Sequence, residues 1–146
     1  MGQKIQTELS KLLADTYTLY LKTQNYHWHV RGPNFRPLHQ LFEEQYLNLA
    51  TAIDMIAERI VTLGGTAPAS FKQFLQLATI KEGQGQMKAE AMISELSNDH
   101  RQVIKDMNNA IKIAQDEVVD EGTISLLSER IAEHEKMCWM LDASKS

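Results

Sequence analysis

Ile5, Leu9, Leu12, Thr16, Leu19 and Tyr20 recur at steps of three and four residues, the spacing that lays one apolar stripe along an α-helix. A first helix is expected over about 3–30. RGPNFRP interrupts it: Gly32 suits a left-handed C-cap, and two prolines delay the next helix until Pro37 can sit in a first turn. A second helix, over about 36–63, carries Phe42, Leu49, Ile53, Ile56 and Ile60 on its stripe and stops at GGTAPAS, where Gly64 suits the next C-cap. SFKQFLQLA, between Gly-bearing linkers at 64–70 and 79–86, reads as a short helix on a crossover. Ala89, Met92, Leu96, Val103, Met107, Ala110 and Ala114 mark a long helix over about 86–116. Ile124, Leu127, Ile131, Cys138 and Leu141 mark a last one, from DEGT to about 143. Four long helices with two short turns and one long connection describe an all-α four-helix bundle with a short extra helix in its crossover. The pattern holds no internal repeat and no low-complexity segment.

Composition narrows the setting. A chain of 146 residues fits one domain spanning 1–146 and can bury a core without disulfides. Its 43% hydrophobic and 23% charged residues, with seven Gly and three Pro, exclude disorder and a turn-rich β design. Cys138 is the only cysteine, which rules out an intrachain disulfide and a zinc ribbon and fits a reducing cytoplasm. No basic, apolar leader pattern opens the sequence, and no run of roughly 18 apolar residues occurs, so a cytoplasmic location away from membranes is expected. A net charge of −4 opposes nonspecific attraction to phosphate backbones.

The candidate chemistry crowds into NYHWHVRGPNFRPLHQLFEE, residues 25–44, with three histidines and two carboxylates around a Gly-Pro turn. If the first two helices form an antiparallel hairpin centred on Pro33, His27 and His39 each lie six residues from the centre and reach the same level. Glu43 follows His39 by one helical turn. Asp54 and Glu58 form a second i, i+4 pair further along. With His39 at zero on the helical wheel, Glu43 falls at about 40°, Asp54 at about 60° and Glu58 at about 100°, whereas the core stripe centres near −70°. The ligand candidates thus face away from the chain's own core. His39 and Glu58 are roughly 28 Å apart at 1.5 Å rise per residue, too far for one metal centre. Two antiparallel copies of the second helix, crossing near residues 48–49, would set His39 and Glu43 of one opposite Asp54 and Glu58 of the other. Tyr46, Leu47, Ala50, Ala57 and Val61 share that sector and read as a dimer interface. Two imidazoles with three carboxylates suit iron better than a thiolate zinc site.

HW at 27–28, RGPNF at 31–35, His39, Glu43 and DMIAERIVTLGG at 54–65 resemble the Dps mini-ferritins (DNA-binding proteins from starved cells), in order and spacing, and the similarity covers nearly the whole chain. The resemblance implies a ferritin-like bundle assembled as a hollow homododecamer. It implies ferroxidase sites at two-fold interfaces, each binding two irons through His27, His39 and Glu43 of one subunit and Asp54 and Glu58 of its mate. Fe(II) would be oxidised by hydrogen peroxide, or by O2, and stored as ferric mineral, protecting the cell from oxidative damage. Where relatives often line a three-fold pore with an aspartate, this chain has Ser125, leaving Asp116, Asp120 and Glu121 as the candidate acidic lining. The lysine-rich N-terminal tail through which some members bind DNA has no counterpart here, which argues against direct DNA binding.

Competing readings sort the remaining residues. His29 points about 200° from His27 on the wheel and fits a structural or supporting role. His100 sits in the series Leu96, His100, Val103, Met107, and His134 and Cys138 lie on the last helix's apolar stripe, so core packing explains all three better than metal binding. Trp28 adjoins the site and either fills space or gives an electron to a stray oxidant. None of the five histidines has Glu three residues before it, which excludes the intrachain di-iron pattern of classical ferritins. The rival class is a non-catalytic shell or DNA-packing protein of the same fold.

Overall fold

The computed structural model describes residues 2–117 and 120–146. Five helices occur in the order α1 (Gln3–His29), α2 (Phe35–Thr62), α3 (Phe71–Leu77), α4 (Ala89–Glu117) and α5 (Glu121–Ala143), with no strand among the described residues. The expected boundaries hold to within three residues, the largest shift being the later start of α4. None of these helices is long and apolar enough to cross a membrane.

The four long helices pack as two hairpins, α1 on α2 and α4 on α5, closed into a bundle through α1 against α4 and α2 against α5. Leu9, Leu12 and Leu19 of α1 meet Phe42, Leu49 and Ile56 of α2, Leu96, Val103 and Met107 of α4, and Leu127 and Leu141 of α5 in one closed core. A fully buried aromatic such as Phe42 contributes about 3–5 kcal/mol against truncation to alanine.

The helix ends follow local chemistry. Past α2, Gly64 takes φ +90, while its amide donates to the Val61 carbonyl and that of Gly65 donates to the Ile60 carbonyl, a Schellman closure. The first turn departs from expectation. Val30, at φ −62 and ψ 141, is the C-cap of α1, and Gly32, at φ +119, serves two residues later inside the loop that redirects the chain. Asp120 caps α5 by accepting from the Thr123 amide at 3.1 Å.

The crossover, residues 63–88, is pinned to α1. Buried Asp15 accepts from the amides of Thr79 and Ile80 at 2.6 and 2.9 Å, and the ring of Phe74 stacks on Tyr17 at 4.8 Å. Lys22, also buried, donates to the Lys81 carbonyl and lies 2.7 Å from carboxylate oxygens of both Glu95 and Asp99 on α4. Truncating Lys22 would leave two carboxylates facing each other without a cation.

Candidate metal centre

The hairpin turn sets the two histidines face to face. The last four carbonyls of a helix lack amides from the next turn. At the end of α1 the Tyr26 carbonyl accepts from Val30, and the His27 carbonyl is left to the His39 Nδ1–H at 2.6 Å. In return the His27 Nδ1–H donates to the His39 carbonyl at 2.7 Å. A carbonyl only accepts, so both imidazoles carry a proton on Nδ1, and in the neutral ring this leaves the lone pair on Nε2, the form a metal requires. Their rings stack at 3.8 Å with 12° between planes.

Neighbours lock this pair. Phe35 stacks on His39 at 5.0 Å, and Tyr46 meets His27 edge-on at 5.3 Å. Phe35 lies one turn before His39, a spacing visible in the sequence, although apolar periodicity alone does not mark a ring as the support of an imidazole. His27 Nε2 lies 3.7 Å from Glu43 Oε1. His27 is buried at 6% exposure, while Glu43 opens to solvent, so the half-site has a fixed floor and an open front.

Asp54 and Glu58 stand exposed on the same helix and enter no ion pair or side-chain hydrogen bond among the described residues. Between and beyond the two ligand groups, Leu47 and Val61 are 54% and 59% exposed, and Tyr46, Ala50 and Ala57 are half-buried. Within one chain, among the described residues, no three His, Cys, Asp or Glu side chains are arranged to hold a metal ion. The donors come as an imidazole-rich group and a carboxylate pair at separate stations on α2. Imidazole nitrogen with carboxylate oxygen fits Fe(II), and the one thiol, Cys138, is buried beside Ser97 in the core.

Other candidates fall elsewhere. His29 is exposed, with Nδ1 2.8 Å from the carbonyl and from the side-chain oxygen of Asn25, one turn back on its own helix. Trp28, 59% exposed, lines an open cleft with His29 and Phe71. Of the pore candidates, Asp116 and Glu121 are exposed, as is Ser125 nearby on α5. Asp120 is occupied, capping α5 and pairing with Arg59 at 2.7 Å. Burial alone would raise its pKa, but hydrogen bonds from Thr123 and the Arg59 guanidinium outweigh it and hold the carboxyl below its ordinary value.

A second histidine pair lies in the core. His100 and His134, both fully buried, approach Nδ1 to Nδ1 at 2.9 Å, and His134 Nε2 lies 3.5 Å from the Arg130 guanidinium. Arg130 only donates, so His134 carries its proton on Nδ1 and gives it to His100 Nδ1. Burial, reinforced by the Arg130 charge, lowers the His100 pKa to about 3. Burial likewise pushes His134 well below its ordinary value, with His100 and Arg130 adding to it. Periodicity placed both in the core; their contact across α4 and α5 was not legible from either helix alone.

Comparison with known proteins agrees with this architecture. The ferritin-like domain model matches residues 6–144. A low temperature-induced protein of Nostoc is 47% identical over 134 residues, covering 91% of this chain and 75% of that one. DNA protection during starvation protein 2 of Bacillus anthracis is 38% identical over 98% of this chain and 97% of its own. Among solved structures, Dps from Staphylococcus aureus superposes with a TM-score of 0.95 at 33% identity, over 99% of this chain and 97% of that one. The Dps protein of Vibrio cholerae, described as a member of a superfamily of ferritin-like diiron-carboxylate proteins, gives 0.92 at 37% identity, covering 97% and 88%.

Proposed function

The chain belongs to the ferritin-like domain family and within it to the Dps proteins, and from that premise we propose that it is a ferroxidase that oxidises Fe(II) with hydrogen peroxide and stores the ferric product inside a dodecameric shell. The observation that carries this reading is the reciprocal Nδ1–carbonyl bonding of His27 and His39, which leaves both Nε2 atoms unused by the backbone, that of His27 beside Glu43. Protein–metal contacts of this kind depend on the outer hydrogen bond that fixes the tautomer. Here the backbone supplies it, so no acidic side chain is spent on orientation.

His27, His39 and Glu43 of one copy and Asp54 and Glu58 of a second copy would hold the Fe(II) substrate. The exposed strip from Tyr46 to Val61 would be the surface that brings the copies together. Two Fe(II) give two electrons to one peroxide: the O–O bond breaks, two protons are taken up and two waters form. Pairing the electrons avoids release of hydroxyl radical, which fits protection from oxidants as well as storage.

A mixing experiment tests the shared site. His39→Ala and Asp54→Ala shells should each oxidise Fe(II) on the order of a hundredfold more slowly than wild type in stopped-flow absorbance. When the two variants are unfolded together and reassembled, each mixed dimer contains one site with both lesions and one intact site, so activity should return. Failure of the mixture to regain activity would show that the donors are not traded between chains, and undiminished rates in the single variants would remove them from the reaction.

A further inference from the structure

Aromatic rings continue from the proposed iron site without a break to the cleft between α1 and α3. Tyr46 touches His27 at 5.3 Å, Tyr20 meets Tyr46 at 5.9 Å, Tyr17 meets Tyr20 at 5.7 Å, and Phe74 stacks on Tyr17 at 4.8 Å. All three tyrosines are half-buried rather than sealed in the core. Tyr17 ends the tyrosine series at an open cleft of about 590 Å³, whose walls include Leu21, Phe71 and Leu75. Core packing does not require this order. The fully buried Tyr26 hydrogen-bonds Glu95 and Met87 and enters none of these ring pairs, nor does Trp28, among the described residues.

Phenols close together can pass an oxidising equivalent in short steps, because each ring is itself oxidisable and each step is short. We propose that Tyr46, Tyr20 and Tyr17 form a one-electron relay that drains stray oxidising equivalents from the iron site to the α1–α3 cleft. The inference rests on the ferroxidase reading. It concerns the turnover that goes wrong, when a site holds a single Fe(II). Then one electron reaches peroxide, giving Fe(III), hydroxide and a hydroxyl radical. The radical takes one electron and one proton from Tyr46 and becomes water. Tyr20 refills Tyr46 with an electron, and Tyr17 refills Tyr20; Tyr20 and Tyr17 each release a proton to water when oxidised, and the Tyr46 and Tyr20 phenoxyls each regain one from water when reduced. A small thiol at the cleft gives a hydrogen atom to the Tyr17 phenoxyl and leaves as a thiyl radical. Damage that would otherwise fall on His27 and its neighbours is exported as a reaction of an external reductant.

Limiting Fe(II) with excess peroxide and the spin trap 5,5-dimethyl-1-pyrroline N-oxide, followed by peptide mass spectrometry, reads where the unpaired electron arrives. In wild type the adduct should appear on Tyr17. Tyr20→Phe keeps the ring packing and loses only a hydroxyl that accepts from Gln24 at 3.2 Å. It should abolish the Tyr17 adduct, move label to Tyr46 and leave the stopped-flow rate of iron oxidation unchanged. Tyr46→Phe should remove label from both Tyr20 and Tyr17. A Tyr17 adduct that survives Tyr20→Phe, or a wild type that oxidises iron yet labels no tyrosine or only Trp28, would overturn the relay while leaving the ferroxidase reading intact. A wild type that oxidises no iron would overturn both.

Discussion

Two histidine pairs in this molecule use the same atoms to opposite ends. At the hairpin turn, His27 and His39 each give Nδ1–H to the other's backbone carbonyl, stack their rings and leave both Nε2 atoms free. Between α4 and α5, His100 and His134 spend Nδ1 on each other and lie sealed from solvent. The turn pair has a carboxylate at 3.7 Å; the core pair has a guanidinium at 3.5 Å, which repels a cation. On the proposed reading, residue type alone does not decide metal competence. What decides it is which nitrogen the scaffold consumes and what charge stands in front of the other.

The sharpest way to break the comparison is to truncate one member of each pair. His134→Ala should cost about 3 kcal/mol of stability, through a cavity and an unpartnered His100 Nδ1, read as a lower urea midpoint at fixed protein concentration. Folded His134→Ala should oxidise iron normally. His39→Ala should do the reverse, losing about 1 kcal/mol of stability and nearly all iron oxidation. If His134→Ala abolished oxidation while remaining a full shell, the core pair would belong to the redox machinery and the distinction would fail.

Acid probes the core pair next. In the unfolded chain a histidine takes a proton near pH 6.5; in the fold His100 resists down to about 3, and His134 is shifted in the same direction. Between those values the unfolded state binds more protons, so stability is full above about pH 6.5 and falls as pH drops, with a slope approaching about 1.4 kcal/mol per pH unit from His100 and a further loss of the same sign from His134. Native carboxylates add their own losses at the lower end. His100→Met removes one titrating group, and the difference in slope between wild type and variant over pH 4–6.5 isolates it. Parallel slopes would mean that His100 takes up its proton in the folded state.

How much of this was legible in the sequence follows from what periodicity measures. It reports which face of a helix is apolar, so the stripes through Leu9, Phe42, Leu96 and Leu127 and the outward sector of Glu43, Asp54 and Glu58 could be assigned residue by residue. The hairpin level of His27 and His39 needed only a count from Pro33. Contacts between helices distant in sequence were beyond it: the His100–His134 bond spans 34 positions, and the salt bridges of Lys22 to Glu95 and Asp99 cross from α1 to α4. Gln86, Met87 and Lys88 are compatible with a helix by residue type, so the sequence points to an early start for α4, although the chain there still belongs to the crossover. Gly32 takes its positive φ two residues past the Val30 C-cap, because composition shows where a positive φ is tolerated, not which residue of the loop needs it.

The smallest expected effect falls on the third histidine of the crowded turn, and it tests whether crowding itself means anything. His29 is exposed, and its Nδ1 is turned back to Asn25 on the same helix, so its removal opens no cavity and orphans no buried group. His29→Ala should change stability by no more than about 0.5 kcal/mol. Fe(II) oxidation should remain within about twofold of wild type, a barrier change of under about 0.5 kcal/mol. The measurement still carries weight, since His29 and His27 are two residues apart and equally able to bind metal as free side chains. A substantial drop on removing His29 would mean that proximity in sequence, rather than a backbone-fixed tautomer beside a carboxylate, governs which imidazole meets iron, and the contrast between the two pairs would lose its physical basis.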